Sequence, residues 1–194
     1  MDIIVKYIDE LLEKSTPEAP MWNIEKIRQG LKSNWNYIDG VMIKAVLQMY
    51  DVTKDEKYLK FADNFIDYRV HEDGTIDGYS IGEKNIDNVN AGKTLFELYD
   101  LTGKEKYRKA IDLVYSQIEI MPRCNNEARS FWHKEIYPNQ VWLDGMYMGQ
   151  PFYLEYETKF NNRKNYPDIF AQFKYVIENM KNPLNGLYLS LIHI

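Results

Sequence analysis

The sequence predicts an all-α fold assembled from repeated helical hairpins. Three observations carry this expectation: a segment that recurs at a fixed offset, an alternation of nearly all-apolar with amphipathic helical stretches, and no convincing strand ladder. Each copy of the repeat reads as a helix, a short turn and a second helix. Stacked helix pairs of that kind form solenoids or toroids.

The recurring segment runs from Tyr50 to Lys60, Tyr-Asp-Val-Thr-Lys-Asp-Glu-Lys-Tyr-Leu-Lys. It returns from Tyr99 to Lys109 as Tyr-Asp-Leu-Thr-Gly-Lys-Glu-Lys-Tyr-Arg-Lys, an offset of 49 residues. A looser third copy occupies Phe152 to Ile169, with Tyr156, Glu157 and Tyr166 in the corresponding places. Before them, Met1 to Glu13 alternates charged and apolar residues like an amphipathic helix. Val41 to Tyr50 is apolar nearly all round, broken only by Lys44 and Gln48, which marks a helix buried on most sides. Thr53 to Glu56 and Thr102 to Glu105 each fit a T-x-x-E capping box, expected to start the following helix. After the first box, Tyr58, Phe61, Ala62, Phe65 and Arg69 share one stripe, while Lys57, Lys60, Asp63, Asn64 and Asp67 lie elsewhere. That is an outer helix with one face in water. Gly74 to Tyr79 reads as a short hairpin or an extended loop.

Composition narrows the function classes. The chain has 194 residues, 45% of them hydrophobic, enough for one domain with its own core. Its net charge of −5 comes from well-mixed signs, so no concentrated basic face points to nucleic acid. One cysteine, Cys124, makes neither a disulfide within the chain nor a multi-cysteine metal site. There is no secretory h-region and no apolar run of about 20 residues, the length a membrane span needs. A soluble cytoplasmic protein is expected. Sixteen Tyr and four Trp supply flat apolar faces with polar edges, which suit the walls of a sugar site as well as a core.

The repeat also places an aspartate at the start of each inner helix: Asp39, Asp87 and Asp144 lie at comparable distances before Tyr50, Tyr99 and Tyr156. Equivalent hairpins would gather all three around one mouth. Capping explains such a position on its own, because Asp suits the positive end of a helix. Asp87, however, sits in the polar run Asn85-Ile86-Asp87-Asn88-Val89-Asn90. Asp144 sits in Trp142-Leu143-Asp144-Gly145-Met146-Tyr147-Met148-Gly149, among large apolar groups and glycines. An apolar setting disfavours a charged carboxyl and raises its pKa toward the range of a general acid, which is the expectation for Asp144.

At these residues the chain resembles glycoside hydrolase family 105, the unsaturated rhamnogalacturonyl hydrolases, and the related unsaturated glucuronyl hydrolases of family 88. The motifs are Trp35-Asn36-Tyr37, Asn85-Ile86-Asp87, Phe131-Trp132-His133-Lys134 and, most specifically, Trp142 to Phe152, spread over Met21 to Leu187. The resemblance implies an (α/α)6 barrel of helical hairpins, here about its N-terminal half, over residues 1–188. It implies hydration of the C4=C5 bond of an unsaturated uronic acid at the end of a lyase-generated oligosaccharide, with no cofactor and no metal. Asp144 would be the catalytic acid and base, and Asp87 would position water and substrate hydroxyls. Tyr37, His133 and Trp142 would line the pocket, with Lys134 a candidate for the uronate carboxylate. Trp35 and Trp132 are expected to pack, and His71 to lie on the surface.

The last stretch departs from the family pattern. Leu189 to Ile194 reads Leu-Ser-Leu-Ile-His-Ile, with Ser190 about where the family carries a histidine, and residues 189–194 are expected to be a non-native tail. A half barrel would leave an apolar edge uncovered and have poor activity by itself. The competing readings are another (α/α)6 carbohydrate enzyme, such as an epimerase, and a helical-repeat interaction module whose aspartates only cap helices.

Overall fold

The computed structural model describes residues 2–193. In chain order the helices are α1 (Asp2–Glu13), α2 (Ile24–Arg28), α3 (Tyr37–Thr53), α4 (Glu56–Asp67), α5 (Lys93–Thr102), α6 (Glu105–Ile120), α7 (Leu143–Met148), α8 (Gln150–Phe160) and α9 (Tyr166–Asn179). Two short strands, β1 (Gln140–Trp142) and β2 (Leu191–His193), pair antiparallel with Val141 opposite Ile192. The fold is all-α, and its hairpins are α3–α4, α5–α6 and α8–α9. The first members, α3, α5 and α8, lean on one another as an inner layer. A 3-10 segment, Ile86–Gly92, leads into α5 and packs against α3, α6 and α7, so it sits at the junction of the hairpins.

The predicted stripe of α4 is buried except for Phe61, which is half-buried, and α6 buries a matching one. Tyr58, Ala62, Phe65 and Arg69 face inward from α4 and its end, as do Tyr107, Ala110, Ile111 and Val114 from α6. They meet Ile43, Val46 and Leu47 of α3, Leu95, Phe96 and Leu98 of α5, and Phe152 of α8. Phe96 packs on Phe152 with ring centres 5.0 Å apart. Burying such side chains contributes about 1.5–3 kcal/mol each, so the inter-hairpin seam is the main source of stability. Gly40 matters here because a Cβ would come within 2.6 Å of Ala91 Cα. Its absence lets α3 lie directly on the 86–92 backbone.

Three expectations need correction. The capping boxes do not form. Thr53 and Thr102 belong to the ends of α3 and α5, where their hydroxyls donate back to the carbonyls of Met49 and Leu98, each at 2.6 Å. Asp55 is the cap of α4, accepting from the Lys57 amide at 3.0 Å, and Lys104 starts α6 with no side-chain cap. A hydroxyl at a helix end can donate to the i−4 carbonyl while accepting from a following amide, and here each does both: Asp55 N and Lys104 N donate to Thr53 and Thr102 Oγ1 at 3.2 and 3.3 Å, one residue short of the amide a capping box needs. Next, α3 is buried on one side only: Val41 and Gln48 are exposed. Tyr37, Tyr147 and Leu154 are exposed as well. Finally, Asp39 leaves the group of three. It is buried and accepts from Trp22 Nε1 (2.8 Å), Asn23 Nδ2 (3.0 Å), Ser33 Oγ (3.2 Å) and Asn36 Nδ2 (2.9 Å), with Arg69 at 4.0 Å. It ties the segment before α3 to the first hairpin.

Gly74 to Tyr79 forms a turn closed by a single bridge between Val70 and Ile76. His71 is exposed, 2.8 Å from Asp77. Residues 189–194 have a place in the fold up to His193: Leu189 N donates to Met180 O at 2.7 Å, Leu143 N donates to Ser190 O at 2.9 Å, and β2 follows. Ile194 lies outside the described residues. No helix among the described residues is long and apolar enough to cross a membrane.

Candidate active site

The motifs of the sequence converge where α7 meets the 86–92 segment. Residues 131–135 run extended between two neighbours. His133 N donates to Gln140 O at 2.8 Å, and His133 O accepts from Ile86 N at 3.0 Å. Lys134 bridges to Asn85, and Glu135 N donates to Lys84 O at 3.2 Å. This backbone clamp delivers His133 and Lys134 to Asp87. The Asn85 side chain caps the segment by accepting from the Asp87 amide at 3.1 Å, which turns the carboxyl toward them.

Asp87 is held on both oxygens. Lys134 Nζ lies 2.7 Å from Oδ2, and His133 Nε2 lies 3.0 Å from Oδ1, in ion-pair range though not aligned as a full hydrogen bond. Burial pushes the Asp87 carboxyl up, but His133 and Lys134 outweigh it and hold the group below its ordinary value. Asp144, in the first turn of α7, is the counterpart. It is exposed, and its carboxylate makes no hydrogen bond or ion pair among the described residues. The expected apolar enclosure of Asp144 is therefore absent here: Trp142 and Leu143 are half-buried beside it, but the carboxyl itself is open.

The ligating atoms of Asp87, His133 and Asp144 all lie within 4.8 Å of one another. That spacing could hold a cation, yet the Lys134 ammonium already neutralises Asp87, so the charge balance suits proton transfer better.

Aromatic walls complete the corner. His133 is fully buried and stacks on Trp142, with centres 4.2 Å apart and planes 8° from parallel. Tyr137 also stacks on Trp142, at 5.4 Å and 13°, making a stack of three rings. Trp142 Nε1 donates to Gln140 Oε1 at 2.9 Å, which fixes the ring. Gly145 is required: a Cβ there would sit 2.9 Å from His133 Nδ1. Trp35 packs as expected, buried, with Nε1 donating to Asn88 O at 2.8 Å to pin the 86–92 segment. Tyr37 starts α3 and is 42% exposed, and its carbonyl accepts from Asn90 Nδ2 at 2.9 Å. Its side chain makes no hydrogen bond, and its ring pairs with no other aromatic ring, among the described residues.

A profile described as glycosyl hydrolase family 88 matches residues 7–190. The chain belongs to that family. A family 105 glycoside hydrolase from Clostridium acetobutylicum is 41% identical, with a TM-score of 0.79 over 87% of this chain and 47% of the relative. A possible family 105 member from Klebsiella pneumoniae matches at 21% identity and TM-score 0.70, over 82% of this chain and 40% of its own. An α-1,6-mannanase from Salegentibacter shares the fold at 16% identity and TM-score 0.65, over 84% of this chain and 46% of its own. The family 88 chain thus spans about half the length of these solved relatives.

Sequence reasoning missed two residues near α7. Tyr137 gave no signal, because its place depends on the loop that returns to β1. Lys93 did give one: it repeats Lys44 at the same 49-residue offset. Lys44 pairs with Glu97, whereas Lys93 is buried, donates to Tyr147 O at 3.1 Å and lies 3.8 Å over the Tyr147 ring. Burial, with repulsion from Lys44, pushes its ammonium down to about 8 against the opposing pull of Asp144.

Proposed function

We propose that this chain carries the catalytic half of a hydrolase that releases 4,5-unsaturated galacturonate from lyase-generated oligosaccharides such as the unsaturated rhamnogalacturonan disaccharide. The observation that carries the reading is the unequal pair of carboxyls. Asp87 has Lys134 Nζ on one oxygen and His133 Nε2 within 3.0 Å of the other, which hold it ionised, so it is a poor nucleophile and a poor acid. Asp144 has both oxygens available a few ångströms away.

Ordinary glycosidases divide acid and nucleophile between two carboxyl groups. One free carboxyl instead fits addition of water to an alkene. Protonated Asp144 gives its proton to C4, and positive charge develops at C5 and the ring oxygen. Water adds its oxygen at C5 and returns a proton to the Asp144 carboxylate. The hemiketal so formed opens and releases the remaining sugar, with no net change in the enzyme. Asp87 accepts a hydrogen bond from the water or a ring hydroxyl, while Trp142 and Tyr37 offer apolar faces to the sugar. Lys134 serves mainly to keep Asp87 charged, since its ammonium is already committed there. The rhamnogalacturonan-type substrate follows from the family 105 resemblance. A saturated analogue has no C=C bond to protonate and should be inert.

The test is turnover of the unsaturated disaccharide, followed as loss of C=C absorbance, by this chain fused to the second half of the C. acetobutylicum relative. The fusion should consume the unsaturated sugar and leave its saturated analogue intact, and the 194-residue chain alone should show no turnover. Cleavage of saturated and unsaturated substrates at equal rates would overturn the reading. Rates on disaccharides ending in rhamnose or in a glycosaminoglycan unit then fix the second sugar.

A further inference from the structure

Beside His133 lies a small cavity walled by Trp132, His133, Gly145, Gln150 and Gln172, with Ile86 and Met146 among its apolar neighbours. Its room for water centres is about 10 Å³, the size of one water site. Three of its lining residues each bring a buried polar atom with no hydrogen-bond partner among the described residues: Trp132 Nε1, His133 Nδ1 and Gln150 Oε1. His133 and Gln150 are each only 2% exposed. Native interiors hold few such atoms. Three around one cavity of this size point to a shared partner.

The polarity of each group is fixed from outside. Asp168 can only accept, and its two oxygens take Arg123 Nη1 at 2.6 Å and Nη2 at 2.9 Å. Gln172 must therefore turn its Nε2 to Asp168 Oδ2, at 3.1 Å, which leaves Gln172 Oε1 as an acceptor for Phe131 N at 3.1 Å. Gln150 donates its Nε2 to that same oxygen at 3.0 Å, so Gln150 Oε1 is the end left over. Trp132 Nε1 is a donor only.

We propose that a single buried water binds in this cavity, accepting from Trp132 Nε1 and donating to Gln150 Oε1 and His133 Nδ1, and that Gln150 is thereby a positioning residue for His133. With Nδ1 occupied as an acceptor, the ring hydrogen resides on Nε2, the nitrogen 3.0 Å from Asp87 Oδ1. The opposite tautomer would set the Nε2 lone pair against a carboxylate and leave the water with no acceptor on the ring. A chain of defined polarity thus runs from Arg123 through Asp168, Gln172, Gln150 and the water to His133. Gly145 keeps the cavity open, since a Cβ there would crowd Nδ1. The water site stands on these contacts alone. Only its value for catalysis, keeping Asp87 an acceptor, rests on the reaction proposed above.

The test uses the 194-residue chain with ¹⁵N-labelled histidine and a crystal structure at a resolution that shows ordered water. Only three histidines, His71, His133 and His193, need to be assigned. The expected result is a pyridine-type Nδ1 and a pyrrole-type Nε2 for His133, with a water within hydrogen-bonding distance of Trp132 Nε1 and Gln150 Oε1. Gln150→Leu should lose the water and shift the Nδ1 resonance, with His71 unchanged. Should Gln150→Leu fail to fold, Trp132→Phe removes one donor and should move the Nδ1 signal less, with Nε2 still protonated. A protonated Nδ1 in the unsubstituted chain, or a dry cavity in the crystal, would overturn the proposal.

Discussion

The first hairpin and the junction of the next two use an aspartate at the same repeat position in opposite ways. At the first, Asp39 is buried under four side-chain donors, with Arg69 nearby, and nothing is left to react. At the junction, Asp87 is held on both oxygens while Asp144 stays exposed, without a partner among the described residues. Spacing places an aspartate at a helix start; its donors decide whether it becomes a tie, an anchored acceptor or a free acid. The difference arises from what packs alongside. The segment before α3 folds back with Trp22, Asn23 and Ser33 to cover Asp39, whereas α7 is six residues long and ends in an open corner.

That contrast can be broken by substitution. Asp39→Ala should have the largest effect on stability, about 3–5 kcal/mol, because it strands buried donors and Arg69. Urea unfolding of this chain measures it, and a loss well under 1 kcal/mol would mean Asp39 is as dispensable as an ordinary cap. Asp87→Asn should fold but lower kcat in the completed barrel on the order of 100-fold, through misplaced water and substrate. Its stability should also lose an acid-sensitive component. Asp87 has a depressed pKa, so its contribution is complete above the unfolded carboxylate range and disappears as pH falls through the lower folded value. Comparing unfolding of Asp87→Asn and the parent chain across the acid range checks the sign.

Lys93 gives a smaller effect of the same sign in a more alkaline window. Its folded pKa of about 8 lies below the unfolded lysine range, so the unfolded chain binds more protons between the two and stability rises with pH across that window. Lys93→Met should flatten the rise; an unchanged slope would show that another group produces it. The smallest effect belongs to the helix starts. Asp55→Ala should lower the Tm measurably, whereas Glu56→Ala should leave it almost unchanged, since Asp55 and not a Thr-Glu box caps α4.

The hairpins were legible because they repeat. A fixed offset and a one-sided stripe on Tyr58, Ala62 and Phe65 report burial without any knowledge of the partner surface. The site was legible by residue type, since Asp87, His133, Lys134 and Trp142 do meet. The sequence hid how they are divided. That His133 and Lys134 both turn to Asp87 depends on a backbone clamp between residues 84–86, 133–135 and 140, which no periodicity announces. The openness of Asp144 was hidden for a similar reason: its apolar neighbours in sequence, Leu143 and Met146, point away into a separate small core with Val141 and Val176. Thr53 and Thr102 misled because a hydroxyl near a helix boundary serves either side of it. Tyr37 is exposed at the start of α3, and its role in substrate binding is still a proposal.

The most direct measurement is on Asp144. In the fusion that completes the barrel, Asp144→Asn should keep the fold and the affinity for the unsaturated disaccharide. Its rate of C=C loss should fall about a hundred- to ten-thousand-fold, the range for removing a general acid. Turnover near the parent rate, with binding intact, would contradict the account, because Asp144 could then not be carrying the proton.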